Sequence, residues 1–282
     1  MFKRKLFYSA GFTLVELSIV LVIIGLLIGG ILVARSMIST AKVQSFVRQI
    51  GQFDTAIENF RTRYNSLPGD SSVMGCTVVG ENICDNGQIE DELFLSSGSY
   101  ADTFSAETAN FWPQLQMSGF TAPGGASFTP TITTKFSVKA PSPNAPQMPI
   151  GSNTSAVVVT LDPAVIGNPA VLSVDYTAYQ ICNYGNSIGV TDSTISLSGM
   201  GCSYDLEIPV ADALAIDTKM DNGLANTVNS GANINNEIVS AHMQMTGVPE
   251  SCTEDEINYN VDNSSAKCDL FVQILFQTGG AR

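Results

Sequence analysis

Apolar residues fill one long segment near the start of the chain and then thin to a single stripe. From Phe12 to Ala34 the only charged side chain is Glu16, and a helix of that length crosses the hydrocarbon core of a membrane. A carboxylate in such a segment costs roughly 2.5–3.5 kcal/mol in lipid, so Glu16 is a candidate functional residue. The nearest conceivable compensating cation is an α-amino group, created if the chain is cut between Gly11 and Phe12.

Beyond Arg35 the apolar residues recur at alternating steps of three and four, which predicts a continuing helix with one narrow apolar face. These residues are Val43, Phe46, Ile50, Phe53, Ile57, Phe60 and Tyr64. Pro68 cannot continue a helix, and Pro68-Gly69 marks a turn. The pattern therefore predicts one helix from Phe12 to about Tyr64, apolar all round in its first half and packed on a sheet in its second.

The residues after this helix have the pattern of a loop-rich head that mixes helices and strands. β-Branched and aromatic residues predict strands at 128–138, 155–162, 170–182 and 269–277. Helices are predicted at 104–118, ended by Gly119, and at 209–220, where Pro209 lies near the first turn and Gly223 just past the end.

Charge divides the chain sharply. The first three basic residues, Lys3, Arg4 and Lys5, precede the apolar segment and favour a cytoplasmic N-terminus, which places the head across the membrane. Residues 65–282 carry five basic residues against 23 acidic ones. Such a head repels phosphate backbones, so no nucleic-acid partner is predicted.

All six cysteines lie in the acidic head. An even number on the exported side indicates disulfides formed in an oxidising compartment. There is no CxxC spacing, which makes a zinc site a poor explanation. Fifteen connectivities are open to six cysteines, and the favoured one joins sequence neighbours: Cys76 with Cys84, Cys182 with Cys202, and Cys252 with Cys268.

The start of the chain resembles the N-terminus of type IV prepilins and type II secretion pseudopilins. The resemblance lies in the basic leader, then Gly11, Phe12, a Thr-Leu-Val run, Glu16 and the apolar helix. Every position from Gly11 to Glu16 fits that motif. The resemblance implies that prepilin peptidase cuts after Gly11 and methylates the new N-terminal Phe12. It also implies that Glu16 sets the register of subunits in a filament.

Two simpler explanations of the apolar segment compete with this resemblance. A secretory signal peptide has a shorter apolar core with small residues after it, whereas here Ser9-Ala10-Gly11 precedes a longer run. An ordinary single-pass anchor stays open, but it gives no reason for Glu16.

The resemblance implies an α+β, pilin-like fold in which a long N-terminal helix packs on a disulfide-stapled sheet. Its parts are a leader at 1–11, a transmembrane and filament-core half of the helix at 12–34, an amphipathic half at 35–64 and an acidic head at 65–282. The large head, and the lack of a proline near the end of the apolar run, favour a minor pilin or pseudopilin. Glu16 argues against the large tip pseudopilin, which characteristically lacks it.

The function that the resemblance implies is that of a structural subunit of a type IV pilus or type II secretion filament, not an enzyme. Its expected partners are other pilin subunits, prepilin peptidase, the inner-membrane assembly platform and membrane lipid. It is expected in the inner membrane with a periplasmic head, and afterwards in a filament. An adhesive tip pilin is the main alternative, and a membrane-anchored exported enzyme is a weaker one.

Little in the head points to catalysis or to a cofactor. The single histidine, His242, lies in no recognisable motif. Calcium is the better metal candidate because hard oxygen ligands cluster in two loops. The first cluster is Asp85, Glu90, Asp91 and Glu92, and the second is Asp217, Asp221 and Asn222. Neither has EF-hand spacing, and Lys219 lies inside the second, so solvated acidic loops or helix-end turns are the favoured interpretation.

Overall fold

The computed structural model describes residues 12–76, 84–85, 87, 89, 106–120, 145–151, 154–161, 176–183, 208–225, 238–241, 252–255 and 257–274. The chain divides into two compact units, Met1–Lys42 and Val43–Arg282. A long N-terminal apolar helix and a small β-sheet region with two disulfides confirm the predicted α+β, pilin-like layout.

Helix α1 comprises Leu14–Tyr64 and confirms the continuous helix predicted from the apolar pattern. Its second half buries the predicted stripe, although Tyr64 at the end is only half-buried and packs on Phe60 with ring centroids 4.6 Å apart. The helix ends at Asn65, which has a φ of +52° and donates its N–H to the Arg61 carbonyl at 2.8 Å. A left-handed residue after the last turn is a common helix ending.

The main sheet has four antiparallel strands in the order β1-β2-β8-β4. Its strands are β1 (Thr154–Leu161), β2 (Tyr176–Asn183), β4 (Val239–Ala241) and β8 (Leu270–Gln273). Two short pairs complete the described strands: β3 (Ile208–Pro209) with β7 (Lys267–Cys268), and β5 (Thr253–Asp255) with β6 (Asn258–Tyr259). The predictions at 155–162, 170–182 and 269–277 overlap β1, β2 and β8. The predicted positions 128–138, 162, 170–175 and 275–277 lie outside the described residues.

Two further helices lie where turn residues predicted them. Helix α2 is Ala106–Met117, and Gly119 follows it with a φ of +86°. Helix α3 is Val210–Met220, preceded by Pro209 as its cap residue. Gly223, with a φ of +80°, donates its N–H to the side chain of Asp217 at 2.8 Å, which folds the exit from α3 back onto its last turn.

An aromatic cluster joins α1 and α2 to the sheet. The Trp112 ring of α2 lies 4.8 Å from Phe53 of α1 and stacks on Tyr179 of β2 at 5.8 Å. Its indole N–H donates to the Ala156 carbonyl of β1 at 2.9 Å, so the polar atom of the buried ring is satisfied. One side chain thus fixes two helices against two strands.

The turn after α1 is held by a buried glutamine. The Gln114 amide accepts from the Gly69 N–H at 2.7 Å and donates to the Gly69 and Ser71 carbonyls, both at 3.2 Å. Gly69 has a φ of +97° and packs so closely that an added Cβ would lie 2.4 Å from the Glu107 carbonyl oxygen. Backbone conformation and space both exclude a side chain there.

Gly69→Ala is therefore expected to destabilise the head by on the order of 2–4 kcal/mol, because it combines a strained φ with a backbone clash. Gly51→Ala is the matched control, since no atom lies within 4 Å of a Cβ added on this helical residue. In the control, the free energy of unfolding is expected to rise by roughly 0.5–1 kcal/mol, because alanine has a higher helix propensity than glycine. Thermal unfolding of the full chain in detergent measures both, and equal melting temperatures would contradict the packing described.

Among the described residues, two disulfides close local loops. Cys76 is bonded to Cys84 after the turn that follows α1, and Cys252 is bonded to Cys268 around β5 and β6. Both join the sequence neighbours that the cysteine spacing favoured. The third favoured pair involves Cys202, which lies outside the described residues.

Candidate functional site

The first half of α1 presents apolar side chains on every face. Within Phe12–Ile38, the exposed fraction of the large apolar side chains ranges from 45% at Ile24 to 87% at Leu14. Gly25, Gly29 and Gly30 have no atom within 4 Å of an added Cβ, so no described part of the chain covers them. The helix is long and apolar enough to span a membrane. Lipid or other apolar helices are the environments that suit such a surface.

Thr13 and Glu16 form a reciprocal cap at the start of this helix. The Thr13 N–H and hydroxyl both donate to Glu16 Oε2, at 2.9 and 2.8 Å, and the Glu16 N–H donates to Thr13 Oγ1 at 3.3 Å. This is the capping-box arrangement, in which a threonine and a glutamate three residues later satisfy the free N–H groups of the first turn. A negative charge there also interacts favourably with the helix dipole.

The cap gives Thr13 a role that the sequence analysis missed. The signal was present as the spacing Thr-x-x-Glu before an apolar run, which identifies a capping box. The Thr13 N–H and the Thr13 hydroxyl both donate to Oε2 of Glu16, so the Glu16 side chain is directed toward the N-terminal end of the helix. Phe12 precedes the cap and is 83% exposed, while Gly11 lies outside the described residues.

The acidic residues proposed for calcium have protein donors. Asp217 is buried, with Oδ1 accepting from the Gly223 N–H and Oδ2 from the Tyr259 hydroxyl, both at 2.8 Å. Asp221 Oδ2 accepts from the backbone N–H groups of Ile238 and Val239 at 2.6 and 3.3 Å. These bonds give both carboxylates structural roles at the end of α3.

In the other acidic loop, Asp85 has a φ of +64° and accepts hydrogen bonds from the backbone and side chain of Ser72. These bonds lower the pKa of Asp85 below its usual value. The remaining members of this cluster, Glu90, Asp91 and Glu92, lie outside the described residues, as does His242. The favoured expectation, acidic loops or helix-end turns without calcium, stays a prediction.

Asp54 is a carboxylate on α1 that the sequence analysis did not single out. It is half-buried at the edge of the apolar stripe, and its Oδ1 accepts from the Tyr179 hydroxyl at 3.3 Å. Burial raises the pKa of Asp54 to about 6, an increase that the hydrogen bond from Tyr179 only partly offsets. Burial and the neighbouring Asp54 charge raise the pKa of Tyr179 well above its usual value.

Asp54→Asn is expected to stabilise the folded chain at pH 8 and to have little effect at pH 4. The folded-state pKa of Asp54 is raised above 3.8, so the carboxyl favours folding at low pH and loses that contribution as the pH rises toward 6. With allowance for partial solvent screening, removing the charge is worth about 1 kcal/mol at pH 8. Thermal unfolding of the full chain in detergent at both pH values measures the difference, and equal effects would contradict it.

The comparisons with known proteins bear on the N-terminal segment. Residues 6–32 match the family model described as the prokaryotic N-terminal methylation motif. No curated protein and no solved structure matches the chain. The matched motif and the apolar helix together fit a membrane-anchored precursor and support a substrate of prepilin peptidase. The chain thus carries the prepilin-type cleavage and methylation motif of type IV pilins and pseudopilins.

Proposed function

We propose that this chain is a structural subunit, a minor pilin or pseudopilin, of a type IV pilus or type II secretion filament. The observation that carries the proposal is the capped Glu16 at the start of an exposed apolar helix, inside the matched methylation motif. A membrane anchor alone needs no carboxylate, and a carboxylate alone needs no apolar helix. A filament core made of such helices uses both.

Before assembly, the apolar half of α1 would hold the subunit in the inner membrane. The basic residues Lys3, Arg4 and Lys5 favour a cytoplasmic N-terminus, which places the acidic head in the periplasm. The cap lowers the cost of keeping Glu16 near the membrane, because both Thr13 donors satisfy the carboxylate. The unassembled subunit would therefore stay in the membrane with the Glu16 charge partly compensated by these hydrogen bonds.

Processing would then create the cation that Glu16 lacks. Hydrolysis of the peptide bond between Gly11 and Phe12 frees the Phe12 amine, and methylation leaves that amine positively charged. In the growing filament, Glu16 of an incoming subunit would pair with the Phe12 amine of a neighbour. A misaligned subunit would strand one buried charge, at a cost of roughly 3–5 kcal/mol. The pair would thus select the register, while the apolar helices supply most of the adhesion.

The partners follow from these steps. They are prepilin peptidase, other pilin or pseudopilin subunits, the inner-membrane assembly platform and membrane lipid. The assembled chain would lie in a cell-surface or periplasmic filament. An adhesive role for the head at a filament tip is compatible with the same assembly step and is tested separately, by deleting head loops and measuring attachment and filament number.

The proposal is tested by following an epitope-tagged full chain in cells with and without prepilin peptidase. We expect the chain in sheared filaments only when the peptidase is present, and in membranes in both strains. The decisive control uses cells that lack every filament component. If the chain has the same location and the same biological effect there as in wild-type cells, the proposal is wrong and a membrane-anchored enzyme is favoured.

A further inference from the structure

A buried carboxylate lies against the disulfide that joins Cys76 to Cys84. The side chain of Glu107, in the first turn of α2, is fully buried, and its Oε1 lies 3.7 Å from Cys76 Sγ. The two sulfur atoms and a carboxylate oxygen of Glu107 all lie within 4.8 Å of one another. A disulfide carries no charge and has no proton to donate, so it offers a buried carboxylate little compensation. The same atoms suit a different chemistry once the disulfide is reduced.

Backbone contacts anchor all three side chains to the turn after α1. The Cys76 N–H donates to the Ser71 carbonyl at 3.0 Å, and the residue after Cys84 donates its N–H to the Asp70 carbonyl at 2.8 Å. The backbone carbonyl of Glu107 packs against the glycine of the same turn. None of these contacts involves the bond between the two sulfur atoms, so they are expected to hold the side chains together in the reduced chain as well. Donor groups fixed in this way are what a metal site requires.

We propose that the chain, when Cys76 and Cys84 are reduced, binds a zinc ion between their two thiolates and the carboxylate of Glu107. Zinc binds thiolate sulfur at about 2.3 Å and carboxylate oxygen at about 2.0–2.2 Å, with tetrahedral geometry, which places neighbouring ligand atoms about 3.5–4 Å apart. The 3.7 Å between Cys76 Sγ and Glu107 Oε1 matches that spacing. The Cα atoms of the two cysteines are 6.1 Å apart, so side-chain rotation is sufficient to separate the sulfur atoms around an ion.

Charge and exposure agree with zinc at this place. One Zn²⁺ replaces the two thiol protons, which pass to water, and the ion then lies between two thiolates and a carboxylate. The buried charge of Glu107 thereby gains a direct counter-charge, which is how buried charges are compensated in proteins. Both cysteines are half-buried, so a water molecule from the solvent can complete the fourth position. Calcium and magnesium prefer oxygen ligands and do not suit a site with two sulfur atoms.

The zinc site and the disulfide exclude each other, because both use the same two sulfur atoms. A disulfide forms when a thiolate attacks the disulfide of an oxidant, and a thiolate that is bound to zinc is not free to attack. Zinc would therefore delay closure of the loop between Cys76 and Cys84. The pair Cys252 and Cys268 has no comparable carboxylate among its described neighbours and would oxidise independently. This inference does not depend on the proposed filament function.

Zinc titration of the fully reduced full chain, in detergent and without oxygen, tests the site. Glu107→Gln leaves every cysteine in place and is expected to weaken zinc binding at the tightest site by about tenfold or more, because it removes one ligand. Glu254→Gln is the matched control, since Glu254 is an exposed glutamate two residues from Cys252, and its zinc affinity should equal that of the wild type. A reduced chain that binds no zinc, or a Glu107→Gln chain with wild-type affinity, would overturn the proposal.

A second measurement uses the wild-type chain, so its outcome does not depend on how a variant folds. The reduced chain is mixed with oxidised glutathione, with and without an equimolar amount of zinc, and each disulfide is followed by peptide mapping. Zinc is expected to slow formation of the Cys76–Cys84 bond about tenfold and to change the rate for the Cys252–Cys268 bond by less than about twofold. No slowing, or equal slowing of both bonds, would show that zinc does not bind specifically beside Glu107 and would overturn the proposal.

Discussion

A Glu16→Ala chain is expected to be membrane-bound and fully processed, but depleted from sheared filaments by at least tenfold. In the proposed filament, the substitution would remove one partner of a charge pair in an apolar environment and leave the Phe12 amine of the neighbouring subunit without a counter-ion. Such a loss costs roughly 3–5 kcal/mol, more than enough for a tenfold effect. Quantitative immunoblotting of membranes and sheared filaments, with mass analysis of the N-terminus, measures both parts of the expectation.

Two variants separate charge from helix capping. Glu16→Gln keeps an acceptor for the Thr13 donors but removes the charge, so we expect it to fail almost as badly as alanine. Thr13→Val removes the hydroxyl and keeps the carboxylate, and loss of a cap hydroxyl costs about 0.5–2 kcal/mol. Its defect should therefore be milder. Normal incorporation of Glu16→Ala would refute the pairing role, and a Thr13→Val defect equal to that of Glu16→Ala would mean that capping is what matters.

A Gly11→Val substitution is expected to block processing, so that the leader stays attached and the chain does not enter filaments. The resemblance to prepilins implies a scissile bond directly after Gly11. A branched side chain beside the scissile carbonyl fills space that the peptidase needs to reach the bond. Less than a tenth of the chain should be processed, as judged by the mobility of the mature band.

The control for processing is Ala10→Val, which adds a similar volume one residue farther from the cut. Its mature band should form at close to the wild-type level. The role assigned to Gly11 would be contradicted if Gly11→Val gave as much mature product as the wild type, with Phe12 at its N-terminus.

The sequence predicted those features that depend on local periodicity. The stripe from Val43 to Phe60 follows the helical repeat, so the pattern alone identified which face of α1 is buried. The strand predictions at 155–162 and 269–277 held because β-branched and aromatic residues are concentrated there. The methylation motif was recognisable because the residues that carry the resemblance are consecutive, from Gly11 to Glu16, inside the matched residues 6–32.

Contacts between residues far apart in the chain could not be predicted in this way. Asp54 and Tyr179 are 125 residues apart, and nothing in either neighbourhood identifies the other. The same holds for Gln114, which holds the turn at Gly69 from 45 residues away. The Thr13–Glu16 cap is different, since its spacing is local. It was missed because Glu16 was considered only as a charge in the membrane.

The most direct test of the central claim is the intact mass of the chain, with mapping of its N-terminal peptide, from membranes of cells with and without prepilin peptidase. The account predicts a chain that starts at N-methylated Phe12 when the peptidase is present, and an uncut chain when it is absent. An uncut chain that begins at Met1 in both strains would contradict the account and leave α1 as an ordinary membrane anchor.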